Sequence, residues 1–328
     1  MQKPIVGIVV PSIRKECINK FFEEWYGRFF DNDYIVNFYL IEDNTKRSFK
    51  IDKTVQSQFN HFRHYSHKEI KQIMGKNSWI IPFKSDCVRS FGYYMAWEDG
   101  CDYTITLDDD CYPYNDGTLD KHIENLNSLA INNRWENTIE GEYPRGFPYG
   151  IRNNLSKVVI SHGLWHNVPD LDGPTQLIKG NSNVIIPEDK IIPINKYYPQ
   201  CGMNLAWRKD MTKYMYFLLM GKNYPFDRFG DIWAGIIAKK VCDVNGWSVH
   251  SGHPFIHHSK ASNVFDNLIK EAKGIKANEV FWEYVDSAKG DPETIYLNIA
   301  DKISEIPYQN EYFKKLSKAM YVWYNLFD

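Results

Sequence analysis

Little in this sequence points to metal modules, membranes or nucleic acid, and each absence excludes something. Cysteine is sparse: the six residues (17, 87, 101, 111, 201 and 242) form no CxxC pair and no cysteine–histidine cluster of zinc spacing, which suits free thiols in a reducing compartment. The opening stretch holds one short apolar run, IVGIVV, too short for a secretory signal and far short of the roughly 20 residues that span a bilayer. A cytoplasmic protein without membrane insertion is expected. A net charge of -2 leaves no basic footprint for nucleic acid. No GxGxxG follows the first apolar run, so neither nicotinamide nor flavin is expected. Internal repeats and low-complexity tracts are missing as well.

What remains is an ordinary globular composition, 43% hydrophobic and 24% charged, over 328 residues, enough for one large domain or two modest ones. Aromatics reach 16%, with ten Trp, which serve cores first and can also stack on sugar rings.

Along the chain, apolar β-branched runs alternate with helical spacing. IVGIVV (5–10), YIVNFYLIEDN (34–44), WIIPF (79–83) and YTITL (103–107) read as strands; residues 17–30 and 86–97 read as helices, as does the later half of 61–75. The alternation predicts an α/β fold with a mostly parallel central sheet and helices on both faces. Residues 1–262 read as one catalytic domain and 263–328 as a helical C-terminal extension packed on it. From 140 to 208 the chain is rich in Pro, Gly and Asn, which predicts long functional loops, 161–177 among them. His61, His64 and His67 lack a supporting acid or cysteine in sequence and read as surface residues.

Ligands of parallel α/β sheets bind at the carboxyl ends of the strands. Two acidic groups fall there: Glu42 with Asp43, and the triplet Asp108, Asp109, Asp110 in ITLDDDC. Three adjacent carboxylates repel one another and need a cation or open water. One reading is a site for Mn²⁺ or Mg²⁺ and a diphosphate, because hard divalent cations take one or two carboxylates plus phosphate oxygens; the other is a solvated acidic turn. His258 in PFIHHSKASN is a further candidate metal ligand, and Lys260 a candidate phosphate contact. Arg14 and Arg89 lie near strand ends. Arg145 and Arg152 sit seven apart in a Gly/Pro loop, with guanidinium forks suited to phosphate. Trp165 is a candidate for stacking on a sugar.

Eight strings in order, IVVPSIR, SDCVRSFGYYMA, ITLDDDC, RGFPYGIR, SHGLWHNVPDLDGPTQL, CGMNLAW, RFGDIWAG and HHSKASN, resemble the reversibly glycosylated polypeptides, also called UDP-arabinopyranose mutases, from about residue 5 to the C-terminal KAMYVWYNLFD. The resemblance implies a GT-A-like nucleotide-sugar fold, a UDP-sugar substrate and a divalent cation. It implies that Asp108 and Asp110 hold the metal with His258, that Asp108 and Asp109 meet the nucleotide with Asp43, and that Arg145 carries the sugar while Arg152 is needed for activity. Two departures, Gly230–Asp231 in place of an acidic pair and IEDNT at the second strand, fall where base or sugar is sensed. Asp231 and Asp172 are candidate bases, and Trp165, Asp170 and Asp172 candidate walls of the sugar site. Competing expectations are a GT-A glycosyltransferase using a separate acceptor and a non-catalytic nucleotide-sugar-binding subunit. A homo-oligomer is a further expectation.

Overall fold

A computed structural model describes residues 3–29, 33–132, 134–135, 137, 142–180, 189–259 and 263–328. Its strands are β1 (Ile5–Ser12), β2 (Ile35–Glu42), β3 (His61–Ser66), β4 (Tyr103–Leu107), β5 (Cys111–Pro113), β6 (Leu129–Ile131), β7 (Leu155–Asn167), β8 (Lys190–Ile191), β9 (Asn204–Arg208) and β10 (Ser248–His258). The helices are α1 (Lys15–Glu24), α2 (Lys53–Gln56), α3 (His67–Met74), α4 (Val88–Glu98), α5 (Thr118–Asn127), α6 (Gly173–Lys179), α7 (Gly230–Asn245), α8 (Val264–Ser287), α9 (Ile295–Ser304) and α10 (Asn310–Tyr324).

The main sheet runs β3-β2-β1-β4-β9-β7-β10-β5. β3, β2, β1, β4, β7 and β10 all point one way; β9 and β5 are antiparallel to their neighbours. The sheet is thus mostly parallel, as the alternating pattern predicts. The apolar run of β1 is continuous because both of its faces are covered. Val6, Ile8 and Val10 enter one core with Phe21, Trp25 and Phe38, while Val9 enters the other with Tyr39 and Ile41. Helix α4 crosses close over β1: a Cβ on Gly92 would lie 2.4 Å from Val9 Cγ1, so only glycine admits this approach.

The larger core continues into the last three helices. Trp233 of α7 stacks on Phe281 of α8 at 4.3 Å, Phe313 of α10 packs beside both, and the indole of Trp323 donates to Lys213 O at 3.1 Å.

Three local expectations are corrected. Residues 79–83 are not a strand: Gly75–Ile80 is a 3₁₀ turn, and Ile80 and Ile81 are buried without joining the sheet. The 161–177 stretch is not one loop. Strand β7 runs to Asn167, and α6 begins at Gly173 after Asp172 caps it through the Thr175 amide. His64 and His67 are not surface residues: at 2.8 Å each they meet the Glu42 and Asp43 carboxylates at the end of β2.

Candidate active site

Strand order reverses between β1 and β4, and ligands bind at such switch points. β1 ends at Ser12, and β4 delivers the acid triplet beside it. The triplet alternates. Asp109 turns inward, 5% exposed, and accepts from Ser12 Oγ at 2.6 Å and from Arg14 at 2.9 Å. Asp108 and Asp110 face a cavity of about 390 Å³. The Asp108 carboxylate accepts from Arg89 at 2.6 Å, and Asp110 lies 3.5 Å from Arg14 and 3.9 Å from His258 Nε2. Burial pushes the Asp109 carboxyl up to about 6, against the pull of Ser12 and Arg14. Burial and then the Asp108 charge raise Asp110. The cluster is therefore not a solvated turn: arginines offset it, and its cavity-facing half remains short of positive charge.

That shortfall tests the metal expectation. Among the described residues no three His, Cys, Asp or Glu side chains converge as a complete metal cage. Asp110 and His258 do converge, and the His258 ring is fixed by Nδ1 donating to Val168 O at 2.9 Å, which leaves Nε2 facing Asp110. Two protein ligands fit a Mn²⁺ or Mg²⁺ whose other ligands are phosphate oxygens and water. Asp108 gives one oxygen to Arg89 and lines the same cavity.

Arg89 is buried and acts inside the wall. Its nitrogens reach Asp108, Asp86, Thr106 Oγ1 at 3.2 Å and Gly202 O at 2.7 Å. It thereby holds the strap 199–203 against the triplet. The strap has two more anchors: the Cys201 amide donates to His162 Nε2 at 3.0 Å, and the Gly202 amide to Asp231 at 2.9 Å. A Cβ on Gly202 would lie 2.7 Å from the Phe217 ring and 2.9 Å from an Arg89 nitrogen, so glycine is required here. Asp231, in the first turn of α7, lines the cavity. Burial, then the charges of Asp86 and Asp170, push its carboxyl up to about 7.

Asp170 and Asp172 line the same cavity, although both Asp172 oxygens are also engaged by Thr175 in capping α6. Arg228 is a wall residue that the sequence reading did not single out, although it opens the quoted string RFGDIWAG. Its Nε donates to Glu271 at 2.8 Å.

Other candidates fall elsewhere. The Asp43 carboxylate is filled by His67 and by the amides of Lys84 and Ser85, and it does not line the cavity. Asp109 is likewise absent from the cavity wall. Trp165 packs against the smaller core. Lys260 lies outside the described residues.

The structure does not bring Arg145 and Arg152 to the cavity. Arg152 precedes the start of β7, whereas His258 pairs with Asn167 at the strand's far end. The 13 residues of β7 separate the two by roughly 35–40 Å at ~3.3 Å per residue. Arg152 closes its own loop, donating to Phe147 O at 3.0 Å and lying 3.7 Å over the Tyr149 ring; Arg145 is exposed.

The family model "Reversibly glycosylated polypeptide" matches residues 1–328. A Pisum sativum protein named probable UDP-arabinopyranose mutase 1 is 34% identical over 346 residues, covering 99% of this chain and 91% of the relative. UDP-arabinopyranose mutase 1 of Arabidopsis thaliana is 37% identical over 287 residues, covering 80% of this chain and 78% of the relative. Among solved structures, glucosyl-3-phosphoglycerate synthase of Mycobacterium tuberculosis, in complex with Mn²⁺, UDP and glucosyl-3-phosphoglycerate, aligns at TM-score 0.47 and 10% identity, covering 85% of this chain and 80% of that one. A mannosyltransferase of Pyrobaculum calidifontis, in complex with GDP-Man and Mn²⁺, aligns at TM-score 0.46 and 8% identity, covering 98% and 74%. These two likenesses are loose, whereas the family model and the relatives match along the sequence. The chain belongs to the reversibly glycosylated polypeptide family.

Proposed function

We propose that this protein is a nucleotide-sugar mutase that interconverts the pyranose and furanose forms of a UDP-sugar, UDP-L-arabinopyranose and UDP-L-arabinofuranose first among them. The observation that carries the reading is the switch-point cavity, with Asp108, Asp110, Arg14 and His258 at one end and Asp170 and Asp231 in its wall, in a chain whose curated relatives are named UDP-arabinopyranose mutases. On this reading residues 1–262 form the catalytic unit, 263–328 brace it, and the protein works in the cytoplasm.

Asp110 and His258 would hold Mn²⁺ or Mg²⁺. When bound, the cation supplies positive charge that offsets the diphosphate as it leaves the anomeric carbon. Arg14, already beside Asp109 and Asp110, adds a second positive charge at the same end. Conversion moves the ring bridge from O5 to O4: the bond from C1 to the diphosphate oxygen breaks, O4 bonds to C1 and gives up a proton, the C1–O5 bond breaks as O5 takes one, and the same diphosphate oxygen re-forms its bond to C1. Asp231, balanced near neutrality, is suited to accept the first proton and return the second. Val168 to Asp172 wall the cavity and limit water, which would otherwise hydrolyse the sugar. Arg145 does not line this cavity, so a sugar adduct on Arg145 would need its loop to enter the cavity of a second copy.

The test is proton NMR of UDP-β-L-arabinopyranose incubated with the protein and Mn²⁺, with no acceptor added. A furanose anomeric signal that disappears with chelator is the expected result. Transfer only when an acceptor is supplied would identify a glycosyltransferase, and UDP binding with no conversion of any nucleotide sugar would identify a binding subunit.

A further inference from the structure

The cavity wall carries three arginines, and their commitments differ. Arg14 is held by Asp109 and Asp110, and Arg89 by Asp86, Asp108, Thr106 and Gly202. Arg228 gives only its Nε to Glu271, and its two terminal nitrogens have no hydrogen-bond partner among the described residues. Its backbone is left-handed, φ +64°, a conformation that residues with a Cβ adopt at a cost and that recurs where a side chain must be aimed. Glu271 is 4% exposed and spends its other oxygen on the Gly173 amide at 2.7 Å, so one buried carboxylate ties the entry of α7, the start of α6 and the body of α8 together. Burial opposes the Arg228 charge, and Glu271, Asp170 and Asp231 more than restore it.

This end of the cavity is rich in carboxylates and therefore repels a second phosphate. A guanidinium fork flanked by carboxylates presents donors and acceptors side by side, as vicinal hydroxyls require. We propose that Arg228 binds the hydroxyls of the sugar ring through its terminal nitrogens and so determines which sugar is accepted, and that Glu271 is the positioning residue that aims it. The proposal rests on the nucleotide-sugar reading and adds the sugar end of the site to it. Arg14, Asp110 and His258 serve the diphosphate end; Arg228, Asp170 and Asp231 serve the sugar.

The experiment is calorimetric binding of UDP and of a panel of UDP-pyranoses (arabinose, xylose and galactose) to the full chain with Mn²⁺. For the wild type, the sugar that binds more tightly than UDP defines a sugar increment. Arg228→Ala is expected to reduce that increment at least tenfold while leaving UDP affinity within twofold. Glu271→Gln is expected to move in the same direction by a smaller factor, again with UDP affinity kept, which a merely structural role would not do. Equal loss for UDP and UDP-sugar would assign Arg228 to the diphosphate and overturn the proposal, as would an increment unchanged in both variants. If the wild type shows an increment for a sugar other than arabinose, the substrate named above falls while Arg228 is still tested on that sugar. If it shows none on any pyranose, the sugar end itself is refuted.

Discussion

At the scale of single residues, the cavity separates charges by burial and partner. Asp109 is given to Ser12 and Arg14 and one Asp108 oxygen to Arg89, while burial and neighbouring carboxylates leave Asp110 and Asp231 with a demand for a proton or a cation. For Asp231 the demand has a sign. Its folded pKa, about 7, stands above the usual carboxylate value, so the folded state retains a proton that the unfolded chain has released. The resulting stability is full in acid and is lost as pH rises through about 7. Asp231→Asn keeps an acceptor for the Gly202 amide but cannot ionise. In chemical denaturation without nucleotide, the wild type should lose stability relative to this variant between pH 5 and pH 8. If Asp231 takes the O4 proton, kcat of the wild type rises with pH through an apparent pKa near 7, and the variant shows no such rise. A flat wild-type profile would remove Asp231 from the proton transfer.

At the scale of elements, the strap 199–203 is the part of the site most exposed to damage from behind. It has no ladder of its own along the cavity. It is held by His162 of β7, Asp231 of α7 and Arg89 of α4, so three elements must dock before it is placed. Burial pushes the His162 imidazole down to about 3, keeping it neutral with Nε2 as acceptor and Nδ1 toward Tyr198 Oη at 2.8 Å. A depressed histidine contributes stability above its unfolded value near 6.5, lost as pH falls through about 3. His162→Ala leaves the buried Cys201 amide unpaired, a loss of about 1–3 kcal/mol before any cavity effect. Urea melts at pH 7.5 should show it, and the deficit of the variant should shrink toward pH 4. Gly202→Ala acts on the other side of the strap. A methyl there forces Arg89 or Phe217 aside, so weaker Mn²⁺-dependent UDP binding is expected even where the variant remains folded.

At the scale of the whole molecule, the sheet puts its two arginine sets on opposite rims. Arg14 and Arg89 serve the carboxyl ends of β1 and β4, while the Arg145 loop lies before the start of β7, near the edge strand β6. Arg145→Ala should therefore bind UDP as tightly as the wild type. If the loop works between copies, a mixture of Arg145→Ala with Asp110→Asn should regain mutase turnover that neither variant has alone. Turnover in the Arg145 variant by itself would show that the loop is not needed for the isomerisation.

The sequence by itself determined the α/β alternation, the helical C-terminal stretch and the triplet at a strand end, because these depend on local periodicity and on where an apolar run stops. IVGIVV has to be covered on both faces, and YTITL followed by three aspartates has to end at a rim. Its ordered strings also determined the family. Tertiary structure alone decided which carboxylates remain available. Asp43 and Asp109 look as available in sequence as Asp110 does, yet His67, two backbone amides, Ser12 and Arg14 occupy them, and those partners come from elements scattered along the chain. It also decided that Arg228 faces the cavity and Arg145 does not, because the position of a side chain on a sheet rim depends on strand direction, and β7 was hidden in a stretch whose Gly, Pro and Asn content reads as loop.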